Sequence, residues 1–312
     1  MCLFSSKTVA LCLGLAAVAQ PTTALPNSYL WEENGKFFSA PVAAALPARH
    51  KCSVFTGNDS VPITSSLLDD FVESYGSADD VWSKSFLDYR ISNAQLPKSV
   101  ALYTIQGSAV GSLSNGPYVA SVTGSGSVEL SPDTSLSFMS GSVPTNATSD
   151  SYITTNVGIP GALQQGIAVP SRLSSLPVKD DHPLAGLRFA VKDVIDVKGM
   201  KTSGGSHAYY QTYGPRNASA KAVSQLVQGG ARLIGKPRIT AFAQQFLSTA
   251  ERSTTRTPGT LAAMGIRPLG SSSGSGSAVS SYDWIDFALG TDTGGSVRLP
   301  ARHGGLYAYK PT

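Results

Sequence analysis

Two short segments near the end of the chain, Gly270-Ser-Ser-Ser-Gly-Ser-Gly-Ser277 and Gly290-Thr-Asp-Thr-Gly-Gly-Ser296-Val-Arg-Leu-Pro300, carry most of its chemical information. Glycine lets the backbone turn sharply and each serine adds a hydroxyl group, so both segments can form a compact polar site. A glycine-serine stretch alone is more typical of a flexible linker. These two matter because Lys192 follows an apolar run in Phe189-Ala-Val-Lys192-Asp193. A serine hydroxyl needs a base to act as a nucleophile, and a buried, neutral lysine is one such base.

The region around these segments alternates β-prone and helix-prone runs. Gly229-Gly230 marks the end of one predicted helix. Strands that alternate with helices are typical of an α/β layered domain, which we place at residues 183–312. The predicted strands cover residues 187–191, 232–234 and 285–290, and the predicted helices cover residues 220–227, 240–247 and 278–284.

The preceding region differs in charge and in pattern. Residues 25–179 carry a net charge of −4, and residues 180–312 carry a net charge of +7. Prolines in the polar segment between the two regions discourage regular structure there. We therefore predict a small α+β accessory domain at residues 25–170 and a linker at residues 171–182. Within the accessory domain a helix is predicted near residues 65–75, and short strands are predicted at residues 100–105, 118–122 and 127–130.

The first residues have the pattern of a secretory signal peptide. Lys7 precedes an apolar run over residues 9–19, which is too short to span a bilayer, and small residues follow the run. We assign residues 1–24 to this signal and predict a secreted, extracellular protein. Three Asn-X-Ser/Thr sequons then predict glycosylation at Asn58, Asn146 and Asn217.

Composition excludes several classes of protein. The 312 residues include 24 Lys+Arg and 20 Asp+Glu, for a net charge of +4, without a run of like charges. A nucleic-acid surface is therefore not expected, and no apolar segment has the length of a membrane span. The 4 histidines are scattered along the chain, so we expect no metal and no cofactor. The oligomeric state stays open.

Two common motifs match the chain only in part. Gly230-Ala-Arg-Leu-Ile-Gly-Lys236 has the spacing of a phosphate-binding loop, but Pro237 stands where a Ser or Thr hydroxyl would bind the metal. Gly270-Ser-Ser272-Ser-Gly274 has the spacing of a nucleophile elbow, with Ser272 as the nucleophile. An elbow needs an acid and a histidine further along the chain, and only His303 follows. We keep the elbow as an alternative and discard the phosphate loop.

Taken together and in this order, the lysine segment and the two glycine-serine segments resemble the amidase signature family, hydrolases of carboxylic amides. The similarity covers residues 183–312, including Gly235-Lys-Pro-Arg-Ile-Thr-Ala-Phe-Ala243 and the final Lys310-Pro-Thr312. It implies a mixed sheet wrapped by helices, here only the N-terminal part of that domain, preceded by the accessory domain. Secreted fungal-type amidases with an N-terminal accessory domain resemble this arrangement. Because the family's domain is longer, we expect the natural chain to continue past Thr312.

The resemblance implies a catalytic triad of two serines and a lysine. Ser296 matches the nucleophile that forms the acyl-enzyme, and Lys192 matches the base. Ser272 lies 24 residues before Ser296 and matches a middle serine that relays the proton. In the family this middle serine follows a cis peptide bond. Ser271 or Ser273 takes its place if the register slips.

The loop that holds Ser296 has two further predicted roles. Asp292 and Arg298 flank the nucleophile; we interpret them as a pair that supports the loop, with substrate contacts as the alternative. Backbone N–H groups in the loop match the family's oxyanion hole, which stabilises negative charge on the substrate oxygen. These donors belong to Thr293, Gly294, Gly295 and Ser296.

The main hypothesis is a secreted serine hydrolase that cleaves a small-molecule amide through an acyl-enzyme on Ser296. Two other hypotheses remain open. One is a catalytically degenerate or shortened secreted binding protein, and the other is an α/β-hydrolase-like esterase with Ser272 as its nucleophile. The sequence does not indicate which amide is the substrate.

Overall fold

The computed structural model describes the helices, the strands and the loops of the second half of the chain in most detail. The described residues are 28–33, 36–41, 51–54, 65–81, 102–103, 116–119, 128–145, 149–155, 157–159, 164–172, 181–244 and 270–311.

The regular elements are numbered in chain order within these residues. The strands are β1 (Ser28–Glu33), β2 (Lys36–Pro41), β3 (Lys51–Val54), β4 (Leu102–Tyr103), β5 (Gly116–Val119), β6 (Val128–Pro132), β7 (Phe138–Pro144), β8 (Tyr152–Thr155), β9 (Val157–Gly158), β10 (Gln165–Pro170), β11 (Arg188–Val191), β12 (Arg232–Pro237) and β13 (Phe287–Leu289). The helices are α1 (Ser65–Ala78), α2 (His207–Thr212), α3 (Lys221–Gln228), α4 (Ser273–Ser281) and α5 (Arg298–His303), and a 3₁₀ turn covers Ala241–Ala243.

The main sheet is mixed, as predicted. Its strand order is β13-β11-β12-β7-β8, with β11 parallel to both β12 and β13, while β12-β7 and β7-β8 are antiparallel. All four residues of β11 are buried, which is typical of a parallel strand covered on both faces. The end of β11 therefore lies in the interior of the molecule, between two neighbouring strands.

Helices cover the two faces of this sheet. Phe189 and Val191 of β11 pack into one apolar cluster with Val223 of α3, whereas Ala190 packs into a second cluster with Ala278 of α4. Successive side chains of a strand point to opposite faces, so one strand contributes to both clusters. The prediction of an α/β fold with a mixed sheet wrapped by helices is confirmed.

The main sheet extends across the predicted linker at residues 171–182. Strands β7 and β8 precede the linker, yet β7 pairs with β12, which follows it. Gly235 of β12 faces Gly141 of β7, and a Cβ atom on Gly235 would lie 2.4 Å from the Ser140 carbonyl oxygen. Because neither strand carries a side chain at this point, the two backbones can come close together. The main sheet thus includes strands from both sides of the predicted linker. The sequence did not indicate this, because the pairing of β7 with β12 is long-range and leaves no local pattern.

Two further sheets are formed by the earlier part of the chain. One has the order β1-β2-β6-β10-β9 and is antiparallel throughout, and the other has the order β4-β3-β5. Helix α1 confirms the helix predicted near residues 65–75, and β4, β5 and β6 overlap the predicted short strands. Within the described residues, we find no helix with the length and apolar character needed to cross a membrane.

A buried ionic network ties the end of α1 to the start of β11. The Arg188 side chain is fully buried, and its Nη2 lies 2.7 Å from Asp80 Oδ1 and 3.3 Å from Asp79 Oδ1. Arg188 Nε also donates to the Pro170 carbonyl at 2.9 Å. Buried charges need such partners, because an unpaired charge in the interior is strongly unfavourable. This network anchors the strand end that lies opposite Lys192.

Candidate active site

The predicted site residues converge at the carboxyl ends of the parallel strands. Lys192 directly follows β11, and its N–H donates to the carbonyl of Leu289, the last residue of β13, at 2.9 Å. The serine run forms the start of α4, and Ser296 precedes α5. In open α/β sheets, the crevice at the carboxyl ends of the strands is the usual place for a ligand. The fold thus brings together segments that are far apart in the sequence.

Lys192 is fully buried and contacts two hydroxyl groups. Its Nζ lies 2.6 Å from Ser271 Oγ, 2.8 Å from Thr291 Oγ1 and 3.2 Å from Thr291 O. Burial lowers the pKa of Lys192 to about 8, because the charged ammonium loses hydration, while the charge of Asp292 acts in the opposite direction. A substantial fraction of the amine is therefore neutral in mildly alkaline solution. Only this neutral form can accept a proton.

The serine run lies between Lys192 and the nucleophile loop. Ser271, and not Ser272, makes the direct contact with Lys192. Ser272 donates its N–H to the Ser296 carbonyl at 3.1 Å, and its Oγ lies 3.4 Å from Thr291 O. The cis peptide bond that the family resemblance implied is not present, since the peptide bonds of the described residues are all trans. Within the serine run, the direct hydroxyl contact of Lys192 therefore comes from Ser271.

Helix α4 begins earlier than predicted. The glycine-serine run has a weak preference for helix, so the sequence predicted helix only from residue 278, yet the helix starts at Ser273. Its first six residues are buried. A Cβ atom on Gly274 would lie 2.4 Å from the Arg238 carbonyl, and one on Gly276 would lie 2.9 Å from Pro300 Cβ. The glycines therefore allow a close approach that a larger side chain would prevent, and tertiary packing overrides the local preference.

Asp292 organises the loop that carries Ser296. Its carboxylate accepts hydrogen bonds from the N–H groups of Gly295, Val297 and Arg298 at 2.7, 2.9 and 3.1 Å. The Arg298 guanidinium adds two bonds, at 3.1 Å from Nε and 3.0 Å from Nη2. The bond from Arg298 and the backbone donors hold the pKa of Asp292 well below its usual range. The interpretation of Asp292 and Arg298 as a pair that supports the loop is confirmed.

The four predicted oxyanion donors differ in their surroundings. Gly295 donates its N–H to Asp292 Oδ1, so this donor is already engaged. Thr293 and Gly294 lie on the exposed side of the loop, whereas Ser296 is buried to 6% exposure. The loop therefore presents Thr293 and Gly294 toward solvent, next to the nucleophile.

A groove of about 330 Å³ opens beside the serine run. Ser272 lines it together with apolar side chains from α4, β13 and the terminal segment. Val279, Phe287 and Leu306 are among these, and Val297, in the loop after Ser296, also lines the groove. A cavity of this size is at the lower end of the range for small-molecule sites.

Sequence reasoning missed two contributions to the site. Thr291 supplies two of the three oxygen contacts of Lys192, and its only signal was its place between Gly290 and Asp292. The other is an ion pair between Asp193 and Lys236, next to Lys192. Lys236 had been singled out by a phosphate-loop spacing that fails at the following residue.

The glycosylation sequons fall on different parts of the chain. Asn58 and Asn146 lie outside the described residues, as do residues 1–24. Asn217 lies on an exposed bend between α2 and α3.

The family model for Amidase matches residues 146–312 of the chain. A relative from Arabidopsis thaliana, Amidase 1, is 37% identical over 154 residues, covering 49% of this chain and 34% of the relative. A relative from Pisum sativum, Translocon at the outer membrane of chloroplasts 64, is 37% identical over 136 residues, covering 44% of this chain and 22% of the relative. The chain thus spans between a fifth and about a third of the length of these relatives.

Similar solved structures include the native peptide amidase from Stenotrophomonas maltophilia. It is 34% identical, with a TM-score of 0.33, and the match covers 39% of this chain and 25% of that protein.

The prediction that the protein is secreted is wrong. The relatives include the Pisum sativum protein named for the outer membrane of chloroplasts, which is not an extracellular location. The prediction rested on a local pattern, an apolar run with small residues after it.

Proposed function

The chain belongs to the amidase family, and from this we propose that it hydrolyses a carboxylic amide through an acyl-enzyme on Ser296. The observation that carries the proposal is the position of Lys192, fully buried and 2.6 Å from a serine hydroxyl. Its lowered pKa, about 8, supports a role as the base, because only the neutral amine accepts a proton.

The proposed reaction has two halves. Ser296 Oγ attacks the carbonyl carbon of the amide, and its proton passes through Ser272 to neutral Lys192. The C–N bond then breaks, the proton moves from Lys192 to the departing amine, and the acyl group stays on Ser296 Oγ. Water next attacks the acyl carbon and gives a proton to Lys192 by the same route. Ser296 recovers a proton as the carboxylic acid leaves, so amide and water yield acid and amine.

Two contacts of Ser272 support the proposed relay. Its Oγ and Lys192 Nζ both contact the Thr291 carbonyl oxygen, at 3.4 and 3.2 Å. Its backbone N–H bonds to the Ser296 carbonyl at 3.1 Å. Ser271 contacts the amine directly, and we assign to its hydroxyl the role of holding Lys192 in place.

The negative charge of the tetrahedral intermediate falls on the former carbonyl oxygen. Backbone N–H groups beside the nucleophile stabilise such a charge without having to move. Because Gly295 already donates to Asp292, we assign the donor role to the N–H groups of Thr293, Gly294 and Ser296. The proposed substrate is a small-molecule amide.

Separate alanine variants of the two serines test the relay. Ser272→Ala is expected to lower kcat by about 10³-fold, because the proton loses its route to Lys192. Ser271→Ala is expected to lower kcat by only about tenfold, because it loosens the amine without removing the relay. Steady-state kinetics on a chromogenic anilide measures both.

Ser277→Ala is the matched control for these variants. Ser277 is a buried serine in the same helix, and its Oγ accepts a hydrogen bond from the Ser137 hydroxyl at 2.8 Å. It is expected to keep kcat within about threefold of wild type. A larger loss in Ser271→Ala than in Ser272→Ala would move the relay to Ser271, and equal losses in all three variants would contradict a relay altogether.

Covalent labelling tests the proposed function itself. A fluorophosphonate probe should label Ser296 in the folded protein, as shown by peptide mapping with mass spectrometry, and Lys192→Met should prevent the labelling. A label on Ser272 that persists in Lys192→Met would support the esterase hypothesis instead. A folded protein without any labelled serine would support the binding-protein hypothesis. Heat-denatured protein serves as the control for non-specific reaction.

A further inference from the structure

A buried ion pair includes the residue next to Lys192. Lys236 Nζ lies 2.9 Å from Asp193 Oδ1, and the two side chains are 0% and 2% exposed. Lys236 also donates to Thr202 Oγ1 at 2.8 Å and to the Lys201 carbonyl at 3.1 Å. The proposed reaction uses neither of the two charges.

Asp193 is fixed through both its side chain and its main chain. The carboxylate accepts hydrogen bonds from the hydroxyl and the N–H of Ser203. The Asp193 carbonyl accepts from the Gly204 N–H at 3.0 Å, and the Asp193 N–H donates to the Pro237 carbonyl at 3.1 Å. One residue thus joins the end of β11 to the end of β12 and to the loop at residues 201–204.

The neighbouring residue faces a different set of partners. Lys192 donates its N–H to Leu289 after β13, and its amine contacts Ser271 and Thr291. The two adjacent side chains therefore reach into different parts of the site. Because Lys192 and Asp193 share a peptide bond, any displacement of Asp193 also moves the base.

Each member of the pair needs the other in order to stay charged. Burial raises the pKa of Asp193 and lowers the pKa of Lys236, and the charge of each partner opposes that shift. If one partner is removed, the other must lose its charge or draw water into the interior. Either response disturbs the hydrogen bonds that fix the peptide between Lys192 and Asp193.

Other charged and titratable groups surround the pair and the base. The charge of Asp196 raises the pKa of Lys236 and that of Arg216 lowers it, while the charge of Asp193 raises the pKa of Tyr210. Asp292 is the charged group that acts on Lys192. All of these groups are retained in the variants below, so a change in the pH profile reports on the pair and on Lys192.

We propose that Asp193 and Lys236 are positioning residues, which together hold Lys192 in its buried place beside the serine run. The proposal rests on the proposed function of Lys192 as the base. The pair acts only through the backbone of the base, and neither residue takes part in proton transfer.

Neutral variants of each partner test the proposal. Asp193→Asn and Lys236→Met are each expected to lower kcat by about 10–100-fold, with KM changed by less than about threefold, because the base is misplaced while the substrate site remains. The acidic limb of the kcat/KM profile is expected to move to higher pH, since a better-hydrated Lys192 regains a pKa closer to its usual value. The double variant has no unpaired charge at this position but still lacks the pair, so it is expected to regain part of the kcat lost in the worse single variant and to stay below wild type.

Asp79→Asn is the matched control. Asp79 is also a buried carboxylate paired with a buried cation, Arg188, but this pair lies at the opposite end of β11. If Asp193 had a purely structural role, Asp79→Asn and Asp193→Asn would lose the same amount of kcat for the same fall in melting temperature. The acidic limb of the kcat/KM profile would then not shift in either variant. That result would overturn the proposal.

A side-chain NMR titration of Lys192 provides a readout that does not depend on turnover. A pKa of Lys192 that stays unchanged in both single variants would overturn the positioning role, even if activity falls. A shifted pKa in a protein that cleaves no amide would support the positioning role and contradict only the proposed function. If a single variant fails to fold, Asp193→Glu and the double variant are compared with wild type by the same titration, and the same shift decides the result.

Discussion

Replacing Ser296 by alanine is expected to lower kcat by about 10⁴-fold or more, because the acyl-enzyme can no longer form. A melting curve of the variant checks that it is folded. The decisive measurement is single-turnover kinetics with an amide substrate, in which the wild type releases the amine before the acid. Ser296→Ala should show no early release of the amine.

Ser280→Ala is a suitable control for the nucleophile variant. Ser280 is exposed near the end of α4, and its hydroxyl bonds only locally, to the Ser277 carbonyl at 3.2 Å. It should retain the activity of the wild type. If Ser296→Ala kept more than about a tenth of that activity, another residue would be the nucleophile.

Replacing Lys192 by methionine is expected to lower kcat by about 10²–10⁴-fold, the usual contribution of a general base. Methionine has a similar length and is apolar, so it fills the buried position without its charge. Lys192→Arg is the informative companion, because arginine stays protonated and cannot accept a proton. Steady-state kinetics should find both variants nearly inactive. High activity in Lys192→Arg would contradict the role of Lys192 as a base.

The pH profile of the wild type provides an independent check on Lys192. Burial lowers its pKa to about 8, and the reaction needs the neutral amine. As the pH falls below this value the neutral fraction drops, so kcat/KM should decrease by about tenfold for each pH unit. Above it the rate should level off. This limb should disappear in Lys192→Met, and a limb that persists in the variant would assign it to another group.

Local patterns were sufficient for several elements of the fold. The helix predicted at residues 220–227 is α3, Lys221–Gln228, because the Gly229-Gly230 stop signal directly follows the helix in the sequence. Strand β11 lies within the predicted range of 187–191, because a short apolar run suits a fully buried strand. The support of the nucleophile loop by Asp292 was also foreseen, since the carboxylate binds residues only a few positions away.

Long-range packing decided the elements that were predicted incorrectly or missed. The early start of α4 depends on contacts of Gly274 and Gly276 with Arg238 and Pro300. The pairing of β7 with β12 brings a segment from before the predicted linker into the main sheet. Neither contact leaves a periodic signal in the residues that make it. Secondary structure at such places follows tertiary contacts and not local preference.

The amino-acid sequence alone was enough to choose the residue types and their order, a lysine after a buried strand and serines within two glycine-rich segments. The match of the Amidase family model to residues 146–312 then established the family. Only the tertiary structure showed that Ser271 and Thr291 contact Lys192 and that Asp193 pairs with Lys236. It also showed that Lys192 is buried, which lowers its pKa. The physical reason is that contact distances and dehydration arise between segments far apart in the chain, such as Lys192 and Ser271, which are 79 residues apart.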